Sequence, residues 1–200
     1  MPIGINGSGT LTGVSVGGLP DGIVDTDMIA AGAVTAAKRG AGAILQVVQT
    51  YRTSQFSESL TQGNYSAAVM TASITPASSS NKILVLCTVH ISTGSGTNGA
   101  QARLARDGTP IGIADADGSR TRGTGGGMGS SAVNRMQSNV QMTFLDAPSS
   151  TSALSYTAHI KPGFAGTQTV YLNREGGGHS TDASNVGLSA SSLTLMEVAV

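Results

Sequence analysis

KILVLCTVHIST, residues 82–93, is the stretch on which the fold turns. Ile83, Val85, Cys87, Val89 and Ile91 fall at every second position, and side chains two apart share one face of a strand. Leu84, Leu86, Thr88, His90 and Ser92 take the other face, which is apolar at one end only. Such a run is expected as a central strand with something packed on each side.

The neighbouring sequence repeats the pattern in shorter pieces. AILQVVQTYR (residues 43–52) and YSAAVMTASITP (65–76) are rich in β-branched and aromatic residues. ARLARD, TPIGIAD, NVQMTFLDAP, ALSYTAHIKP, TVYLNRE and the terminal SSLTLMEVAV follow, separated by clusters such as RDGT, DAPSSTS and NREGGGHST. Gly, Pro, Asp and Ser in those clusters supply the backbone conformations that turns require. No stretch carries a long amphipathic helical period. Many short strands with loops between them predict an all-β fold, a jelly roll or β-sandwich, over residues 43–200.

Residues 1–42 have another texture. Single apolar residues (Leu11, Val14, Val16, Leu19, Ile23, Met28, Ile29 and Val34) stand among glycines and other small residues. Without large side chains this segment cannot close a core alone. It is expected to be extended and intertwined with its copies, each burying a thin apolar stripe on the others as attachment and trimer contacts. Within it, residues 25–40 suit a short helical turn capped by Asp25 or Thr26 and ended by Gly40.

Composition narrows the function. Charged residues make up 11% of the chain, against about 25% in an average globular protein. Eleven Lys and Arg balance 11 Asp and Glu, so the formal net charge is zero. Little electrostatic repulsion opposes self-association, and no basic field exists to attract nucleic acid. The opening MPIGINGSGT has neither a basic nor an apolar signal region, so no secretory signal is expected. The longest apolar run, ILVLC, is far short of the roughly 20 residues of a membrane helix, and no membrane insertion is expected. Cys87, the single cysteine, lies in a strand pattern and is expected to be a buried, inert thiol.

Motifs that carry chemistry do not accumulate. GSGTNG, residues 94–99, has dinucleotide-binding spacing, but AQARLA after it is cut off by RDGT, leaving no room for a phosphate-binding helix. DADG, residues 115–118, opens like a calcium loop without the closing glutamate and reads as a solvated turn. His90, His159 and His179 are far apart in sequence and outside any metal-ligand spacing. No nucleophile elbow, P-loop or carboxylate pair is present, so no enzyme, cofactor or metal is expected. Mobile loops on β scaffolds often carry recognition. Gly94, Ser95, Thr97 and Asn98, with Arg120 and Arg122 in the later glycine-rich loop, are the candidate recognition residues.

Two groups of segments resemble tailed-phage fibre proteins. GSGTLTGVSVGGLPDGIVDTDMIAAGAVTAAKRGAGAILQVVQ, residues 7–49, is similar to their N-terminal region, where units like DTDMIAAGAVTAAK wind as three chains about one axis. ITPASSSNKILVLCTVHIS, ARLARDGTPIG, FLDAPSSTSALSYTAHIK, YLNREG and SSLTLMEVAV resemble their head domains. Those heads are trimeric jelly rolls similar in shape to tumour necrosis factor and complement-type heads. The resemblance implies a homotrimeric virion protein, made in the host cytoplasm. Residues 1–42 would attach it to other virion proteins, and the head would meet a host-surface glycan or protein. The alternative is a head fibre, capsid decoration or cement protein with a purely structural role. The family supplies no fixed receptor residues.

Overall fold

A computed structural model of the chain describes residues 4–5, 11–12, 33–34, 38–94, 99–127, 137–163, 166–176 and 187–200. The chain divides into two units, Met1–Arg39 and Gly40–Val200. In the first, β1 (Gly4–Ile5) pairs antiparallel with β2 (Leu11–Thr12), setting Ile5 opposite Leu11. The expected helical turn at residues 25–40 falls largely outside the described residues.

The second unit is built from β3 (Ile44–Arg52), β4 (Phe56–Thr61), β5 (Met70–Ile74), β6 (Lys82–Thr93), β7 (Ala100–Arg106), β8 (Thr109–Ile111), β9 (Gly125–Gly127), β10 (Ser138–Asp146), β11 (Leu154–Pro162), β12 (Thr167–Leu172) and β13 (Ser191–Val198). Eight of these strands nest in pairs: β3 with β13, β5 with β11, β6 with β10, and β7 with β8. First meets last, second meets seventh, third meets sixth and fourth meets fifth. The chain thus runs as one long antiparallel hairpin. Pairing of β13 with β6 and of β11 with β7 rolls that hairpin into two facing sheets. This is a jelly roll.

Alternation places the core. The β6 face of Ile83, Val85, Cys87, Val89 and Ile91 is buried and meets Leu104, Tyr156, Ala158 and Ile160 of the opposite sheet within one cluster. Burial pushes the Cys87 thiol up to about 12, so it stays protonated and unreactive. The other β6 face differs from expectation. Both edges of β6 are hydrogen-bonded, to β10 and to β13 and β12, but Leu84, Leu86, Thr88 and His90 are only half-buried.

Elsewhere the differences are local. The expected strand at 65–76 is regular only over Met70–Ile74, because before it the Ile160 amide bonds to the Ser66 Oγ in place of a backbone carbonyl, which interrupts the ladder. TPIGIAD stops at Ile111 because Gly112 turns to φ 58° against the Phe144 ring. AQARLA forms β7, the physical reason that no phosphate-binding helix follows the glycines. The exposed turn expected of DADG is centred one residue later, on Gly118 and Ser119, where the Arg120 amide donates to the Asp117 carbonyl.

Candidate functional site

The outer face of the β3–β13–β6–β10 sheet is the first candidate surface. Register aligns Val47, Met196, Leu84 and Leu145 in one row across four strands. Gln49, Thr194, Leu86 and Thr143 form the next row, and Tyr51, Ser192, Thr88 and Gln141 the one after. The first row is wholly apolar, and none of the three contains Asp, Glu, Lys or Arg. Val47 is 56% exposed, Leu145 47% and Tyr51 64%. Large contiguous apolar patches are where association sites are sought, which makes this row a candidate.

A polar pocket of about 570 Å³ lies against the outer face of the other sheet. Its wall includes Lys161 of β11 and Gln101 of β7, which stand opposite each other in register. Tyr65 covers the next row, with the Arg103 guanidinium 4.1 Å and the Lys161 ammonium 5.9 Å from its ring centre. Ser66 fixes that cover. Its amide donates to the Ile160 carbonyl at 2.8 Å, and its Oγ accepts from the Ile160 amide at 3.0 Å. His159 Nδ1 donates to the Ser66 carbonyl at 2.9 Å, which assigns the proton to that nitrogen.

The pocket's electrostatics are unbalanced. Lys161 is 6% exposed and forms no ion pair among the described residues. Burial without a counter-charge lowers its pKa. Gln101 Oε1 and Arg103 Nε are both buried and without a hydrogen-bond partner among the described residues. At the rim, Ser119, Arg120 and Thr121 arrive on a turn, where Arg120 pairs with Asp117. Gly163 closes the far side: its amide donates to the Gly99 carbonyl at 2.7 Å, and a Cβ there would lie 2.9 Å from that oxygen. Among the described residues no group of His, Cys, Asp and Glu could hold a metal ion, and no helix is long and apolar enough to cross a membrane.

No known family profile matches the chain, and no curated protein matches its sequence. It is similar to the solved infectious bursal disease virus VP2 subviral particle, with 14% identity over 78% of this chain and a TM-score of 0.39. It is also similar to the structure of the Gx strain of that virus, with 12% identity over 77% of this chain and a TM-score of 0.39. This chain spans 38% and 40% of those two chains.

The expected recognition residues are distributed unevenly over this geometry. Arg120 lies in the pocket wall. Arg122 is nearby, its carbonyl accepting the Tyr65 hydroxyl at 3.0 Å. Gly94 follows β6, its amide bonded to the Thr169 carbonyl at 2.9 Å. Ser95, Thr97 and Asn98 lie outside the described residues, as do Val14, Val16, Leu19, Ile23, Met28 and Ile29. Leu11 is in β2, and Val34 is half exposed. Sequence reading missed Lys161, Gln101 and Tyr65. Lys161 breaks the apolar end of β11, which was the available signal.

Proposed function

We propose that this chain is a structural protein of a virus particle, a homotrimeric fibre or fibre tip on a phage tail that meets the host surface. The uncharged row Val47–Met196–Leu84–Leu145 carries the reading. Burying these side chains against copies of the same face removes apolar surface from water, at about 25 cal/mol per Å². No like charges oppose the approach on the three outer rows. The resemblance to fibre heads favours three copies about one axis, a closed cyclic assembly. The segment before β3 then serves as attachment and trimer contact, delivering each head to the same axis.

Light scattering after size exclusion tests the assembly: a mass of three chains is expected at micromolar concentration, and a one-chain mass overturns it. Cryo-electron microscopy of intact particles tests the location. Density at the tail tip, with adsorption of the isolated protein to host cells, supports a receptor-binding fibre. Density on the capsid without adsorption supports the decoration or cement role instead.

A further inference from the structure

We infer that the pocket between Lys161, Gln101 and the 119–121 turn binds an acidic saccharide, taking its carboxylate on Lys161 and a ring hydroxyl on Gln101. The site is formed within one copy of the chain and does not depend on the assembly proposed above. Its volume, about 570 Å³, falls within the roughly 300–1,000 Å³ of small-molecule sites.

Two needs define the ligand. Lys161 is a nearly buried cation with no carboxylate partner among the described residues, so an anion would supply the missing charge. Gln101 lies beside Lys161 in a wall that also holds Gln62 and the Ser119 and Thr121 hydroxyls, so a ligand that fills the pocket must also exchange hydrogen bonds with neutral polar groups. A bare inorganic anion meets the first need more readily than the second. A neutral sugar meets only the second. A sugar ring bearing a carboxylate and neighbouring hydroxyls meets both. Gln62 and the Ser119 and Thr121 hydroxyls in the same wall can serve the remaining hydroxyls, and Pro162 offers an apolar surface to the ring. Arg120 is already paired with Asp117 at the exposed rim, so its part is secondary.

Saturation-transfer NMR and calorimetry on the full chain, with D-glucuronate, D-glucose and inorganic phosphate as probes, test the inference. Glucuronate is expected to bind saturably, at least about tenfold more tightly than glucose or phosphate. Lys161→Met should weaken glucuronate by about tenfold or more, the scale of one hydrogen bond to a charged group. Because position 161 is buried, Arg120→Ala provides a second variant on an exposed turn, expected to keep the fold and weaken binding two- to threefold, roughly an exposed charge's share. Equal binding of glucuronate and glucose overturns the inference. So does phosphate binding as tightly as glucuronate, which would make this a bare anion site. Absence of glucuronate binding, or unchanged binding by a folded Lys161→Met, also overturns it.

Discussion

Asn81 Nδ2 donates a 2.6 Å hydrogen bond to Oε1 of Glu197, joining the turn before β6 to the last strand across 116 residues of chain. Glu197 is 1% exposed. The Ala77 amide donates to the same oxygen at 2.7 Å, and Gln46 Nε2 donates to Oε2 at 2.6 Å. This carboxylate therefore gathers β3, β13 and the β5–β6 turn at one end of the sandwich.

The acid response follows from that arrangement. Burial alone would raise the Glu197 pKa, but hydrogen bonds from Asn81, Gln46 and the Ala77 and Ser78 amides outweigh it and leave the pKa below the ordinary value. A carboxylate with a depressed folded pKa contributes stability above its unfolded value, near 4.3, and loses it as pH falls through the folded one. The urea midpoint should fall as pH drops below about 5, and Glu197→Gln should flatten part of that slope. An identical slope in the variant would remove Glu197 from the explanation.

A second buried carboxylate ties the two sheets together. Asp146 Oδ2 of β10 accepts from Arg106 Nη1 of β7 at 2.6 Å and from the Tyr156 hydroxyl of β11 at 2.7 Å. Burial and the bond to Asp146 both hold the Tyr156 proton in place. Tyr156→Phe removes one donor and leaves the ion pair, so it should cost about 1–2 kcal/mol. Asp146→Ala leaves both partners without their acceptor and should cost about 3–5 kcal/mol. Urea unfolding of both variants checks the order, and equal losses would contradict it.

Neighbouring positions on β6 should fail in different ways. Val85 is fully buried, so Val85→Asp places an unpaired charge in the core and should abolish folded, soluble protein. Leu84 points to the outer face, so Leu84→Asp should fold, melt cooperatively and lose oligomeric mass. Arg122→Ala should change neither property, because the Tyr65 hydroxyl uses the Arg122 carbonyl. Circular dichroism with light scattering separates these results. A soluble, normally melting Val85→Asp would mean that the inward face of β6 is wrong.

The strands that bury one alternating face were legible, and β6, β10, β11 and β13 lie where period-two patterning puts them. FSESLT of β4 was not, because its polar alternate residues and short length imitate a loop. GGG of β9 has no side chains to pattern at all. The pocket was half legible: loop character pointed to Arg120, but Lys161 and Gln101 become neighbours only through the register of β11 on β7. Glu197 likewise reads as an ordinary charged residue near the C-terminal end of the sequence. Only the return of β13 beside β3 and β6 brings its donors around it.

The division of the chain by task gives the last prediction. Residues 1–42 are proposed as the attachment and assembly segment, and the remainder as a head that folds without them. Beyond position 42 the jelly roll retains all eight nested strands and both buried carboxylate networks. Its closing contact is also retained, since the Ala199 amide donates to the Ala43 carbonyl at 2.9 Å. Among the described residues two backbone bonds are lost, from the Gly42 amide to the Ala199 carbonyl at 2.8 Å and from the Ala43 amide to the Gly40 carbonyl at 3.2 Å. A net hydrogen bond contributes about 1 kcal/mol, a small part of the roughly 5–15 kcal/mol that holds a domain folded. Deleting residues 1–42 should therefore leave a β-rich protein that melts cooperatively, trimerises more weakly and no longer enters particles. Circular dichroism of the truncated chain and its incorporation into particles are the two measurements. An unfolded product would show that the head depends on the segment, and normal incorporation would show that attachment lies elsewhere.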